Sequence, residues 1–183
     1  MQIHQLNHAN EIILRVIQPE DIQEFYAFSK YIFYELNEYT IDTPEEFSHD
    51  TDIEKQRIEK FNLPGNLLLG AFYDGQLIGV LDFNSNKRKR INHWGKFGIS
   101  IHHDFQNRGI GTKLVHFLIE WAKQNGQTKM ILLSVHANNE RAIALYTKMG
   151  FVQCGYFKSC IREKDNSFTD SIDMVLYLDA LRA

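Results

Sequence analysis

The chain has 183 residues, a hydrophobic content of 44%, a charged content of 23% and a formal net charge of −3. That is the composition of a globular chain long enough for a sizeable core and most simply organised as one domain, residues 1–183. The charge argues against a general nucleic-acid binder. No apolar run approaches the ~18 residues of a membrane span, and the polar start lacks a signal-peptide core, so no membrane partner and a cytoplasmic location are expected. Cys154 and Cys160 are then expected as reduced thiols.

In chain order, Ile12 to Ile17 reads as a first strand, and Gln18-Pro19-Glu20-Asp21 opens a helix, with Pro near its first turn and acids at the positive end of its dipole. Residues 35 to 66 are helical or irregular and acid-rich. Leu67 to Tyr73 and Gln76 to Phe83 are strands joined by Asp74-Gly75, a two-residue hairpin signal. Asn84-Ser85-Asn86 opens a polar loop before a strand at His93 to Ile101. A helix follows from Ile110, with Leu114, Val115, Leu118, Trp121 and Ala122 at helical spacing, closed by Asn125-Gly126. Met130 to Val135 is a strand, and Phe151 to Ile161 with Ser171 to Leu178 frames a last hairpin. The order implies an α/β fold of mixed α+β type: a mixed sheet with helices on both faces.

Between a strand and a helix lies Gln106-Asn107-Arg108-Gly109-Ile110-Gly111-Thr112. Free N–H groups and the helix dipole favour a phosphate there, Gly109 and Gly111 let the backbone come close, and Arg108 can add a charged hydrogen bond. A Walker loop is excluded, because Gly111 is followed by Thr112-Lys113 in the wrong order. A dinucleotide fingerprint is excluded because its third glycine position holds Leu114. What fits is Gln/Arg-x-x-Gly-x-Gly/Ala. A second pattern follows the next strand: Asn139, Ala142, Tyr146 and then Gly150-Phe151. Asn138 or Asn139 can cap this helix, Gly150 can end it, and Asn139 and Tyr146 stand two turns apart on one face.

Together the two motifs resemble the GNAT superfamily of acyl-CoA-dependent N-acetyltransferases, over about residues 12 to 178, with the sharp motifs between 97 and 151. The resemblance implies a GNAT-like, mostly antiparallel central sheet and acetyl-CoA as cosubstrate. The pantetheine arm would run along the strand before the phosphate turn, in a notch where that strand parts from the next. Ile99 and Ile101 would offer backbone groups to it, Asn139 would hydrogen-bond it, and Gln106 to Thr112 would hold the pyrophosphate. Tyr146 would serve the departing sulfur. By periodicity alone Tyr146 reads as a core aromatic, and the matched motif reverses that. The C-terminal hairpin resembles that of ribosomal-protein N-acetyltransferases. The acceptor is expected to be a primary amine, of a small molecule or a protein, and a homodimer is kept open.

Many relatives carry a Glu near the start of the strand at 93–101, where this chain has Gly95-Lys96-Phe97-Gly98. The general base is therefore unassigned, with His93, Glu35, Asp82 or a relaying water as candidates. The missing carboxylate also keeps open a non-catalytic acyl-CoA-binding module. His102-His103-Asp104 could suggest a metal, but adjacent histidines on a strand point to opposite faces, and no metal is expected. Lys87-Arg88-Lys89-Arg90 is a solvated loop or a nucleic-acid contact. The acids Glu35, Glu38, Asp42, Glu45, Glu46, Asp50, Asp52 and Glu54 either attract a cationic acceptor or form exposed helix faces.

Overall fold

A computed structural model describes residues 11–36 and 39–178. The strands are β1 (Ile13–Val16), β2 (Leu67–Tyr73), β3 (Gln76–Ser85), β4 (Trp94–Ile101), β5 (Met130–His136), β6 (Val152–Arg162) and β7 (Phe168–Tyr177). They form one sheet in the order β1-β2-β3-β4-β5-β7-β6. Every neighbouring pair is antiparallel except β4 and β5. The β2–β3 hairpin turns at Asp74 and Gly75, with φ of 49° and 79°, the paired left-handed residues that a two-residue hairpin requires.

Helices cover both faces. On one side lie α1 (Ile22–Tyr34) and α2 (Thr51–Phe61), whose Phe25, Phe28, Ile58 and Phe61 pack on Leu68, Phe72, Leu77 and Val80. On the other lie α3 (Ile110–Gln124) and α4 (Glu140–Lys148), where Leu114, Val115, Leu118 and Tyr146 meet Leu69, Leu81, Phe83 and Leu133. A bulge in β3, where Ala71 pairs with Gly79 and Phe72 with Leu77, lets Ile78 and Val80 serve opposite cores.

Three boundaries differ from the sequence reading. Asn84 and Ser85 belong to β3 rather than to a loop, because they pair with Lys96 and Gly95. Gly95 makes the approach possible: a Cβ there would lie 2.3 Å from the Asn84 carbonyl oxygen. The first helix begins as a single 3-10 turn, Pro19–Asp21, before α1 proper. The last strand starts at Phe168, since Phe168 and Thr169 still pair with Arg162 and Ile161.

The entry to α1 is tied to β1 by a two-pronged ion pair, Arg15 to Asp21 at 2.6 and 2.7 Å, with the guanidinium over the Phe72 ring. The hydrogen bonds from Arg15 hold the Asp21 carboxyl below its ordinary value, despite opposing desolvation. A depressed carboxyl stabilises the fold above its unfolded-state pKa, and that stability is lost as pH falls through the folded value. Asp21→Asn should therefore cost about 1 kcal/mol near neutral pH, a figure reduced for the partial exposure of Arg15. In urea denaturation the gap to the parent should close in acid; a gap that persists there contradicts the assignment.

Candidate active site

Strands β4 and β5 pair at only three steps, Trp94–Met130, Gly95–Ile131 and Lys96–Leu132. Beyond them β5 remains paired with β7 along its whole length, Met130–Tyr177 to His136–Ser171, and β4 remains with β3. The two therefore part, and a cavity of about 740 Å³ occupies the gap between Phe97–Ile101 and Ser134–His136. The pleat gives this cavity two sides. The Ile99 and Ile101 side chains reach toward α3, with Cδ1 atoms 3.9 and 3.4 Å from where a Cβ on Gly111 would sit. Leu133 and Val135 belong to the same core. Gly98, Ser100, Ser134 and His136 thus face the opposite side, under α1.

At the α3 end, Asn107 and Gly109 take left-handed φ values of 61° and 75°. The first intrahelical bond runs from Lys113 N to the Gly109 carbonyl, so the amides of Ile110, Gly111 and Thr112 lie ahead of it, free for an anion. Nothing lies within 4 Å of a Cβ built on Gly109, so that glycine answers to its φ and to approach from outside. Arg108 holds its guanidinium 5.0 Å from the Phe105 ring centroid, at the rim of the turn. Gln106, expected on the ligand, engages the protein at both ends of its carboxamide. It donates to the Ile101 carbonyl at 3.2 Å and accepts from Arg141 at 2.6 Å, bracing the turn against β4 and α4.

Asn139, rather than Asn138, caps α4, its side-chain oxygen accepting from Ala142 N at 3.1 Å. The NH₂ end of the same side chain is left as the available donor at the cavity wall. Tyr146 also lines the cavity, its buried ring packed edge-on against Phe97 and tilted on Phe151 at 5.8 and 5.9 Å. Burial pushes its phenol up to about 12, so the hydroxyl stays protonated at neutral pH and can donate.

Of the three side chains suggested as base, only Asp82 reaches the cavity. It sits on β3 opposite Gly98. Burial raises its pKa, and Arg57 of α2, 3.8 Å away, opposes that. His93 precedes β4 at the paired end, its carbonyl accepting from Lys129 N, and Glu35 closes α1. Among the acids, Asp42 lines the cavity. Glu45 and Glu46 form a single 3-10 turn, Asp50 caps α2 by accepting from Asp52 N, and Glu54 is buried against Ser29 and Arg57. Glu38 lies outside the described residues.

His102 and His103 do not point apart. The strand ends at Ile101, a single 3-10 turn begins at His103, and the two rings stack 4.8 Å apart. The ring nitrogens of His103 are engaged by Tyr31 Oη at 2.6 Å and by Asp104 at 2.9 Å. Lys87 to Arg90 are exposed between β3 and β4, away from the cavity lining. Cys154 and Cys160 are free and exposed. Among the described residues no helix is long and apolar enough to cross a membrane.

Sequence reasoning missed Arg57, Arg141 and His136. His136 is the last residue of β5, buried, and its Nε2 has no hydrogen-bond partner among the described residues. A signal existed: it stands two residues after Ser134, on the face opposite Leu133 and Val135.

A family model described as the acetyltransferase (GNAT) family matches residues 32–151. With that match, the two motifs and the parted β4–β5 pair, the chain belongs to the GNAT acetyltransferase family. It is 34% identical over 88 residues to the L-amino acid N-acetyltransferase AaaT of Escherichia coli K12, a stretch covering 48% of this chain and 54% of that one. The chain spans about half the length of the curated relatives it matches. Among solved structures, a GNAT-family acetyltransferase of Streptococcus pneumoniae superposes with a TM-score of 0.86 at 27% identity, covering 91% of this chain and 99% of that one. A phosphinothricin acetyltransferase of Sinorhizobium meliloti, solved in complex with acetyl-CoA, shares the fold at a TM-score of 0.79 and 17% identity, covering 91% and 88%.

Because Gly109 holds a left-handed φ with free space around its Cα, Gly109→Ala should cost about 1 kcal/mol of stability through backbone strain alone. Denaturant midpoints of the two proteins measure it. Equal stability would mean that the turn has another conformation.

Proposed function

We propose that this chain transfers an acetyl group from acetyl-CoA to a primary amine by direct attack. One observation carries the reading: the parting of β4 from β5 connects an anion-binding helix start with a buried, protonated tyrosine. The pyrophosphate would sit on the amides of Ile110, Gly111 and Thr112, with Arg108 adding charge. The pantetheine would extend along Ile99 and Ile101 on the α3 side, within reach of the Asn139 amide. Its thioester would then lie in the gap, and donors around a developing oxyanion lower the barrier most in such a water-poor site.

The acceptor would enter from the α1 side, where the lining combines aromatic walls, Phe28 and Phe33, with the carboxylates of Asp42 and Asp82. Two acids at an apolar mouth favour an amine that arrives as a cation, and among the described acidic side chains between Glu35 and Glu54 only Asp42 lines that entrance. Tyr146 would protonate the leaving sulfur. A passive binding module has no use for a buried phenol at that point, which favours an enzyme.

Tyr146→Phe should lower kcat on the order of ten- to a thousand-fold and leave acetyl-CoA affinity unchanged. Thiol release from acetyl-CoA with a panel of amines, together with calorimetric titration of the cosubstrate, measures both. Equal kcat in a folded variant contradicts the role of Tyr146. A parent protein that binds acetyl-CoA but serves no amine contradicts the transferase reading.

A further inference from the structure

His136 lies where β5 leaves β4, and it is the one buried side chain among the described residues whose polar atom, Nε2, has no hydrogen-bond partner. Only 5% of the residue is exposed to solvent, yet it lines the cavity. A ring nitrogen held dry and unpartnered costs stability unless something fills the place when the site is occupied. Strand parity turns this ring to the α1 side, the side proposed for the acceptor, while Tyr146 stands on the other. The two groups thus flank the parting from opposite faces of the sheet.

We propose that His136 Nε2 is the general base that takes the proton from the acceptor ammonium; this rests on the transferase reading above. The proton passes from nitrogen to Nε2, and the freed lone pair forms the N–C bond to the thioester carbonyl. As the tetrahedral species collapses, the C–S bond breaks with its electrons on sulfur, which takes a proton from Tyr146. The nitrogen sheds its second proton to restore the phenol, and His136 returns the first to solvent. Amide, free thiol and one released proton balance the ammonium and the thioester.

The surroundings suit this task. Burial lowers the pKa of His136 below the ordinary value of 6.5, with the charge of Glu163 in the β6–β7 turn opposing, so the ring is neutral and basic at neutral pH. Tyr39 packs on it with ring centroids 5.7 Å apart. Besides Tyr39, the ionisable side chains lining the same cavity are Asp42, Arg57, Asp82, Arg141, Tyr146 and Lys148. Asp82 is the competing base, but Arg57 stands 3.8 Å from its carboxylate and the Asn84 amide donates to it at 3.5 Å. Burial raises the Asp82 pKa, but those partners already hold its carboxylate, whereas His136 Nε2 has no hydrogen-bond partner among the described residues.

The experiment compares kcat/KM for the best amine of the panel across pH in the parent, His136→Gln, His136→Ala and Asp82→Asn, with acetyl-CoA affinity measured by calorimetry. The parent should rise to a plateau with a break below the ordinary histidine value of 6.5. His136→Gln should lose about a hundred-fold at neutral pH, and its rate should climb with pH toward the pKa of the free amine with no plateau, at unchanged acetyl-CoA affinity. Added imidazole should restore part of the rate in His136→Ala and none in the parent. An active parent whose profile survives His136→Gln overturns this proposal alone, and a break abolished only by Asp82→Asn gives the role to Asp82. A parent that binds acetyl-CoA and acetylates nothing overturns the transferase reading and this proposal together.

Discussion

Strands β4 and β5 begin as parallel neighbours and then part, while β5 stays with β7 along its whole length. The ladder between β4 and β5 is given up after Lys96 and Leu132, while β5 keeps its antiparallel partner to His136. Past that point β4 has an open edge inside the protein, and its backbone groups on that side have no ladder partner in β5. An internal open edge is costly unless something polar and extended lies along it. A pantetheine arm, with its two amides, is such a group. The cavity depends on this loss of pairing.

The pleat then divides the chemistry. Odd-numbered residues of β4 and β5 face α3 and α4, and even-numbered ones face α1, so the helix-start amides and Tyr146 belong to one side and Asp82 and His136 to the other. One physical cause, burial, acts on the two proton-carrying groups in opposite directions. It raises the tyrosine to about 12 and lowers the histidine. Each is held in its uncharged form at neutral pH, one able to give a proton and the other able to take one. Lys96, at the position where the family pattern led to the expectation of a carboxylate, reaches Ser134 Oγ at 3.4 Å.

Much of this was legible in the residues. Periodicity and the Asp74-Gly75 signal located β2, β3 and α3, and the glycine turn could be placed because its neighbours on both sides are strongly patterned. Asn139 as a cap and Gly150 as a helix end follow from local chemistry, and Gly150 does take a φ of 91°. What escaped depended on tertiary register. Asn84 and Ser85 look like loop residues until Gly95 admits them to the ladder. His102 and His103 look like opposite faces of a strand until the chain turns after Ile101. The acids between Glu35 and Glu54 look like one charged surface, yet Glu46 and Asp50 accept backbone hydrogen bonds as caps, Glu54 joins α2 to α1, and Asp42 lines the cavity. For His136 the residues offered only its place two after Ser134, and its missing hydrogen-bond partner shows only in the folded chain.

A backbone amide titration by NMR with acetyl-CoA tests most directly whether the parted edge of β4 is the cosubstrate site. The largest shifts should fall on Ile99 to Ile101, on Asn107 to Thr112 and on Asn139 to Ala142, with smaller ones on Ser134 to His136 across the gap. Shifts concentrated instead on the β6–β7 hairpin or on Lys87 to Arg90, with β4 and the start of α3 unmoved, would contradict it.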